Sequence, residues 1–146
     1  MYKRQLLAAV IALLHGYSYG LAIDLSSACD IRLCASNTNF SVKEVDIGLA
    51  ADIGTLSRLH KIVRSASWVK DICLSARIWN AEEALWQGFV SLVLESKEEL
   101  MQVGVEMAKA IAAKSPVAVQ GTKALLDYSR DHSVEEGRLF LILSQL

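Results

Sequence analysis

One proline in 146 residues, Pro116, leaves no proline-rich linker, and no run of glycine or serine long enough to separate two domains stands in for one. The chain therefore reads as one unit. Charge of one sign is lacking too: 15 Lys and Arg against 16 Asp and Glu give a formal net charge of −1, so no global field draws the protein to nucleic acid or an acidic membrane. The three cysteines, Cys29, Cys34 and Cys73, are odd in number and lie among apolar neighbours. That argues against a disulfide framework or a zinc site and for reduced core thiols. His15, His60 and His132 are scattered, with neither H-E-x-x-H nor Cys/His ligand spacing, so no metal site is expected. The apolar run "QLLAAVIALL" stops at His15, far short of the ~20 residues that span a bilayer.

What is present is apolar: a hydrophobic content of 53% with 21% charged residues is enough to build a packed core. Lys3 and Arg4 before the apolar run have the form of a signal peptide's first two regions. A buried parallel strand from about Ala8 to Leu14 is the preferred reading, because it runs straight into the glycine turn "HGYSYG" and provides the strand that the next helix needs. "LAIDLSSAC" then has helical spacing, and "DIRLCAS" and "NFSV" read as short strands around a polar "NTN" turn. Helices are expected in "GTLSRLHKIV", in "SASWVKDICLSA" with Ser65 or Ser67 as cap, and in "NAEEALWQG" between Asn80 and Gly88. "FVSLVLES" reads as a strand. Beyond Glu98 the pattern turns to long helices, with Pro116 in the first turn of one and the capping-box pair Ser133 and Glu136 opening the last, which stops after barely three turns. Strands alternating with helices, followed by a helical tail, define an α/β chain.

Three acids stand inside segments that otherwise look like core: Asp24, Glu44 and Asp52. Each has a plain structural reading. Asp24 suits the dipole of the helix it opens, Glu44 suits an ion pair with Lys43 or another cation, and Asp52 suits capping the helix near Gly54. Together they form a more specific pattern. Two carboxylates in one apolar pocket titrate apart, so one holds a proton while the other accepts one, which is what proton transfer beside a carbonyl requires. An enolate oxygen also needs donors, and backbone N–H groups where "HGYSYGLAID" enters its helix provide them. The letters G-Y-S-Y-G also satisfy the nucleophile-elbow pattern of hydrolases, with His60 or His132 as formal partners. That reading leaves the three acids unexplained.

The segments "HGYSYGLAIDLSSACDIRLC", "FSVKEVDIGLAADIGTLSRL" and "KSPVAVQGTKALLDYSRDHSVEE" together resemble the C-terminal half of the dienoyl-CoA isomerases, within the enoyl-CoA hydratase/isomerase (crotonase) superfamily. The likeness runs from about Ala9 to about Glu136, and "KEVDIGLAAD" is its most specific part. It implies a partial crotonase fold: residues 1–96 as the end of a spiral of repeated strand-strand-helix turns, residues 97–146 as a shortened helical oligomerisation region, both in one structural unit.

The resemblance also implies the reaction, a shift of 3,5-dienoyl-CoA to 2,4-dienoyl-CoA in fatty-acid β-oxidation. The substrate is a coenzyme A thioester, and no metal or redox cofactor is implied. Glu44 and Asp52 would exchange protons with opposite ends of the conjugated system while Asp24 orients the site. Leu21 stands where the backbone N–H of a family glycine donates to the thioester oxygen. Relatives of this kind form trimers or hexamers and occur in peroxisomes or mitochondria, and the terminal "SQL" resembles the peroxisomal address S-K-L without its basic residue. Family members are about twice this long, and their N-terminal half supplies the second oxyanion donor and much of the coenzyme pocket. Two alternatives go with the resemblance: a 2-enoyl-CoA hydratase using Asp24 and Glu44, against which the third acid argues, and an inactive fragment that binds related subunits.

Overall fold

The apolar run closes a parallel sheet, although its strand is shorter than the run. The computed structural model describes residues 7–144, and β1 within them covers Ile11–Leu14. Lys3 and Arg4 lie outside the described residues, as do Gln145 and Leu146 of the terminal tripeptide. The chain divides into two compact units: Val10–Glu106, and residues 7–9 together with those from Met107 onward.

In the first unit, β1 leads into β2, Tyr17–Tyr19, and α1, Leu21–Ser27. β3, Ile31–Ala35, and β4, Asn39–Ser41, repeat the step. A 3₁₀ turn at Glu44–Ile47, α2 at Thr55–Arg58 and a second 3₁₀ turn at Leu59–Lys61 follow. Then come α3, Ala66–Ser75, β5, Trp79–Asn80, α4, Ala81–Gln87, and β6, Leu92–Leu94. α5, Lys97–Ala112, runs from this unit into the next.

The first four strands alternate between two sheets, and β5 joins the sheet of β4. β1, β3 and β6 form one, all parallel, with Leu33 of the central strand opposite Leu13 and Leu92. β2, β4 and β5 form the other, parallel at Tyr19 and Ser41 and antiparallel at Phe40 and Trp79. "HGYSYG" is thus a corner and a strand rather than a turn, and "DIRLCAS" and "NFSV" belong to different sheets rather than to a hairpin. The two corners are tied together. Asn39 N–H donates to the Gly16 carbonyl at 2.7 Å, and Thr38 Oγ1 donates to Leu14 and Ala35 carbonyls at 3.1 and 2.6 Å.

Phe40 stacks on Trp79 at 4.5 Å between centroids, with Trp68 and Phe89 edge-on to the same indole at 4.9 and 5.2 Å. Ile23, Leu33, Leu59 and Ile72 complete a fully buried core. Trp86 is different, 71% exposed beneath the Arg64 guanidinium. The cap residues act as their types suggest: Ser65 Oγ accepts from Trp68 N–H, Asn80 Oδ1 accepts from Glu83 N–H, and Gly88 ends α4 with φ 78°. α5 lies against β1 at Gly104, where a Cβ would meet Leu13 side-chain carbons at 2.5 Å. No described helix is long and apolar enough to cross a membrane.

In the second unit, α6, Pro116–Ser129, starts at a Ser115 cap, and α7, Val134–Ser144, starts at a reciprocal box in which Ser133 N–H and Oγ donate to Glu136 Oε2, each at 2.7 Å. Tyr128 is sandwiched between His132 and Phe140, at 3.7 and 4.3 Å.

Candidate active site

Two corners meet at Gly20 and Ser41. β2 ends at Tyr19, and Gly20, with φ 51° and ψ −114°, turns the chain into α1 while its N–H donates to the Ser41 carbonyl of β4 at 2.9 Å. Three residues after Ser41 the 3₁₀ turn begins with Glu44, so the hydrogen bond that joins the corners also brings this carboxylate to the mouth of α1. A Cβ at Gly20 would lie 3.2 Å from Glu44 Oε1. Glycine is needed there on two counts, for its positive φ and for the space. Leu21 opens α1, so its N–H has no acceptor inside the helix. Its side chain is 53% exposed and leaves that backbone in place.

Glu44 is half-buried, and its Oε2 is buried without a hydrogen-bond partner among the described residues. The ion pair with Lys43 that adjacency suggested does not form: Lys43 Nζ donates to Asp46 Oδ2 at 2.8 Å. Beneath Glu44 lies α3. Burial, and secondarily the Glu44 charge, push the Cys73 thiol up to about 11, while burial does the same for Cys34. These thiols are unreactive core groups at neutral pH, and all three cysteines are free.

Asp24 is sealed, at 2% exposure. Its Oδ1 accepts from Thr55 N–H at 2.8 Å and Thr55 Oγ1 at 2.7 Å. It therefore caps α2 across 31 residues of sequence, the role that proximity had assigned to Asp52, since Gly54 at that position has no side chain to cap with. Arg58 completes the clamp: Nη2 donates to the carbonyls of Asp24 and Ile53 at 3.0 and 3.3 Å, and Nε to Ser27 Oγ at 3.2 Å. Thr55 and Arg58 carry no motif, and nothing local in the sequence marks them. Asp52 is exposed, on the segment that this clamp anchors, and makes no hydrogen bond or ion pair among the described residues. The three acids thus divide into one committed carboxylate and two open ones on the loop around Gly48. No group of three metal-ligating side chains occurs among the described residues. An open depression between Arg64, Asn80, Glu83 and Trp86 holds none of the three acids.

Strand, strand and helix in repeated turns, with a carboxylate at the mouth of the first helix, define a crotonase-fold protein. An enoyl-CoA hydratase/isomerase from Cupriavidus metallidurans, 32% identical, matches 98% of this chain and 53% of its own with a TM-score of 0.90. The sequence profile of the Enoyl-CoA hydratase/isomerase family matches residues 3–139, and the chain belongs to that family. Within it, the mitochondrial Delta(3,5)-Delta(2,4)-dienoyl-CoA isomerase of Homo sapiens is 52% identical over 87% of this chain and 39% of its own length. The peroxisomal counterpart from Arabidopsis thaliana is 48% identical over 88% of this chain and 46% of its own. The chain therefore spans less than half the length of these curated relatives.

Proposed function

We propose that this chain provides the acid/base half of a dienoyl-CoA isomerase site. The observation that carries the reading is the Glu44 carboxylate, set against Gly20 at the amino end of α1 with one oxygen buried and unpartnered. A base in that position removes a proton from the carbon next to a thioester, and the enolate oxygen of the extended conjugated anion that results is met by the Leu21 N–H. The charge spreads along the conjugated system, and a second acid returns a proton at its far end. Asp52, open and unpaired, takes that part, and the two acids serve opposite ends of the diene. One proton leaves, one arrives, and both double bonds move by one position. Asp24 is a positioning residue, holding through Thr55 the segment that bears Asp52. Names of relatives at about half identity support the 3,5-dienoyl-CoA substrate and a mitochondrial or peroxisomal location. A second reading, hydration by Asp24 and Glu44, is disfavoured because both donors of Thr55 occupy the Asp24 oxygen nearest them.

The relatives' extra length belongs in the test. The purified chain, alone and joined to the N-terminal remainder of the human relative, is given a 3,5-dienoyl-CoA, and the conjugated product is followed by absorbance. Turnover is expected to fall by ~10²–10⁴ in Glu44→Gln with KM little changed. Full turnover in that variant would sink the proposal. Trimers or hexamers of the joined protein, the assembly the resemblance implies, are checked by light scattering on the same sample.

A further inference from the structure

Lys43 and Glu44 are adjacent in sequence, yet they face different partners. Ser41 and Lys43 alternate with Val42, which is 2% exposed in the core, and both donate to one carbonyl, that of Ala76: Ser41 Oγ at 2.7 Å and Lys43 Nζ at 3.1 Å. Ala76 ends α3 with φ 51°, the only non-glycine residue with positive φ among the described residues. That conformation is costly for a residue with a Cβ, and here it turns the last carbonyl of the helix toward the segment before Glu44. The ammonium thus sits at the negative end of α3, with Asp46 Oδ2 at 2.8 Å and the Tyr19 ring centroid at 6.0 Å. Lys43 has three partners, the Ala76 carbonyl, the Asp46 carboxylate and the Tyr19 ring, and Glu44 is not one of them.

We propose that Lys43 is a positioning residue for Glu44: its anchor on Ala76 and Asp46 sets the 3₁₀ turn so that the carboxylate meets Gly20, and keeps the ammonium next to it in sequence off that carboxylate. The inference rests on the acid/base reading of Glu44. If the ammonium were released, it would pair with Glu44 and both tilt and neutralise the base. Cys73 reports on the geometry independently of turnover, because this α3 thiol is buried and senses the Glu44 charge.

The test compares Lys43→Met, Lys43→Arg and Asp46→Asn, reading kcat and KM for the dienoyl-CoA, the melting midpoint, and the rate of Cys73 alkylation by iodoacetamide resolved by peptide mass spectrometry. Lys43→Met is expected to lower kcat about tenfold with KM and melting midpoint unchanged, because a misplaced base loses orientation rather than binding. Cys73 alkylation should rise several-fold as the turn loosens. Lys43→Arg, which keeps a cation within reach of both oxygens, should restore kcat and alkylation. Asp46→Asn removes the charge that holds the ammonium without removing the ammonium and should lower kcat in the same way, which keeps the test alive if Lys43→Met fails to fold. Unchanged kcat and alkylation in both Lys43→Met and Asp46→Asn, or no rescue by arginine, overturns the proposal. Absence of turnover in the unmutated protein overturns the isomerase reading instead, and the alkylation rates alone then decide whether the anchor exists.

Discussion

The segment Val10–Glu106 and the helices after it place their apolar residues in opposite ways. In the first, Phe40, Trp79 and Phe89 interlock at 0–2% exposure and pull α3, β4 and β5 onto one cluster. In the second, α6 has no buried residue, and Val117, Leu126 and Val134 stand 81, 68 and 83% exposed. Local chemistry, a serine cap and a Ser133–Glu136 box, sustains helices there. The difference teaches that precise placement of polar atoms in this chain is a property of the first segment, where long-range packing fixes them, while the second is defined by what its own sequence does turn by turn.

Truncation tests this contrast most strongly. Trp79→Ala should cost about 3–5 kcal/mol, as for other buried aromatics, and be visible as a large fall in the urea midpoint. A loss below 1 kcal/mol would mean that the aromatic cluster does not organise the first segment. Asp24→Ala comes next. It strands the Thr55 amide and hydroxyl in a buried place and should cost about 1–3 kcal/mol, with Asp24→Asn recovering part because an acceptor oxygen remains.

Acid provides a third handle. Glu83 is held below its ordinary 4.5 by hydrogen bonds from Arg77, against an opposing effect of burial and with further help from Trp68. The folded state thus takes up this proton less readily than the unfolded one, so the contribution is present above the ordinary value and lost as pH falls through the lowered one. Urea midpoints followed downward through pH 4.5 should fall more in the unmutated protein than in Glu83→Gln. Equal slopes would show that the Arg77 pair is solvated and idle. The smallest effect is expected in the second segment, where Leu126→Ala should change stability by less than about 0.5 kcal/mol, since no packing is lost.

Much of the architecture was legible because it is written locally. Ser65, Asn80, Gly88, Pro116 and the Ser133–Glu136 pair each signal a helix boundary through a bond or a torsion within four residues. The family likeness was legible in "KEVDIGLAAD", which the structure turns into the 3₁₀ turn and the loop bearing Glu44 and Asp52. Sheet membership was not, because nothing in "NFSV" tells it to leave the sheet of "DIRLCAS"; the partners Tyr19 and Trp79 lie far off in sequence. The same holds for the acids. Proximity assigned the α2 cap to Asp52, but the capping oxygen comes from Asp24, and Lys43 bypasses its neighbour for a carbonyl 33 residues away. Charge complementarity within a short stretch cannot reveal a choice made by the tertiary fold.

The central position of β3 has a bearing on time. Its partner on one side, β1, precedes it closely, but Leu33 must wait for Leu92 before the other edge is satisfied. Closing so long a loop delays the last parallel pairing, and during synthesis the half-finished sheet emerges with an unsealed seam. The order in which the chain is made is therefore also the order in which it is vulnerable, and the hazard ends only when "SLVLES" arrives.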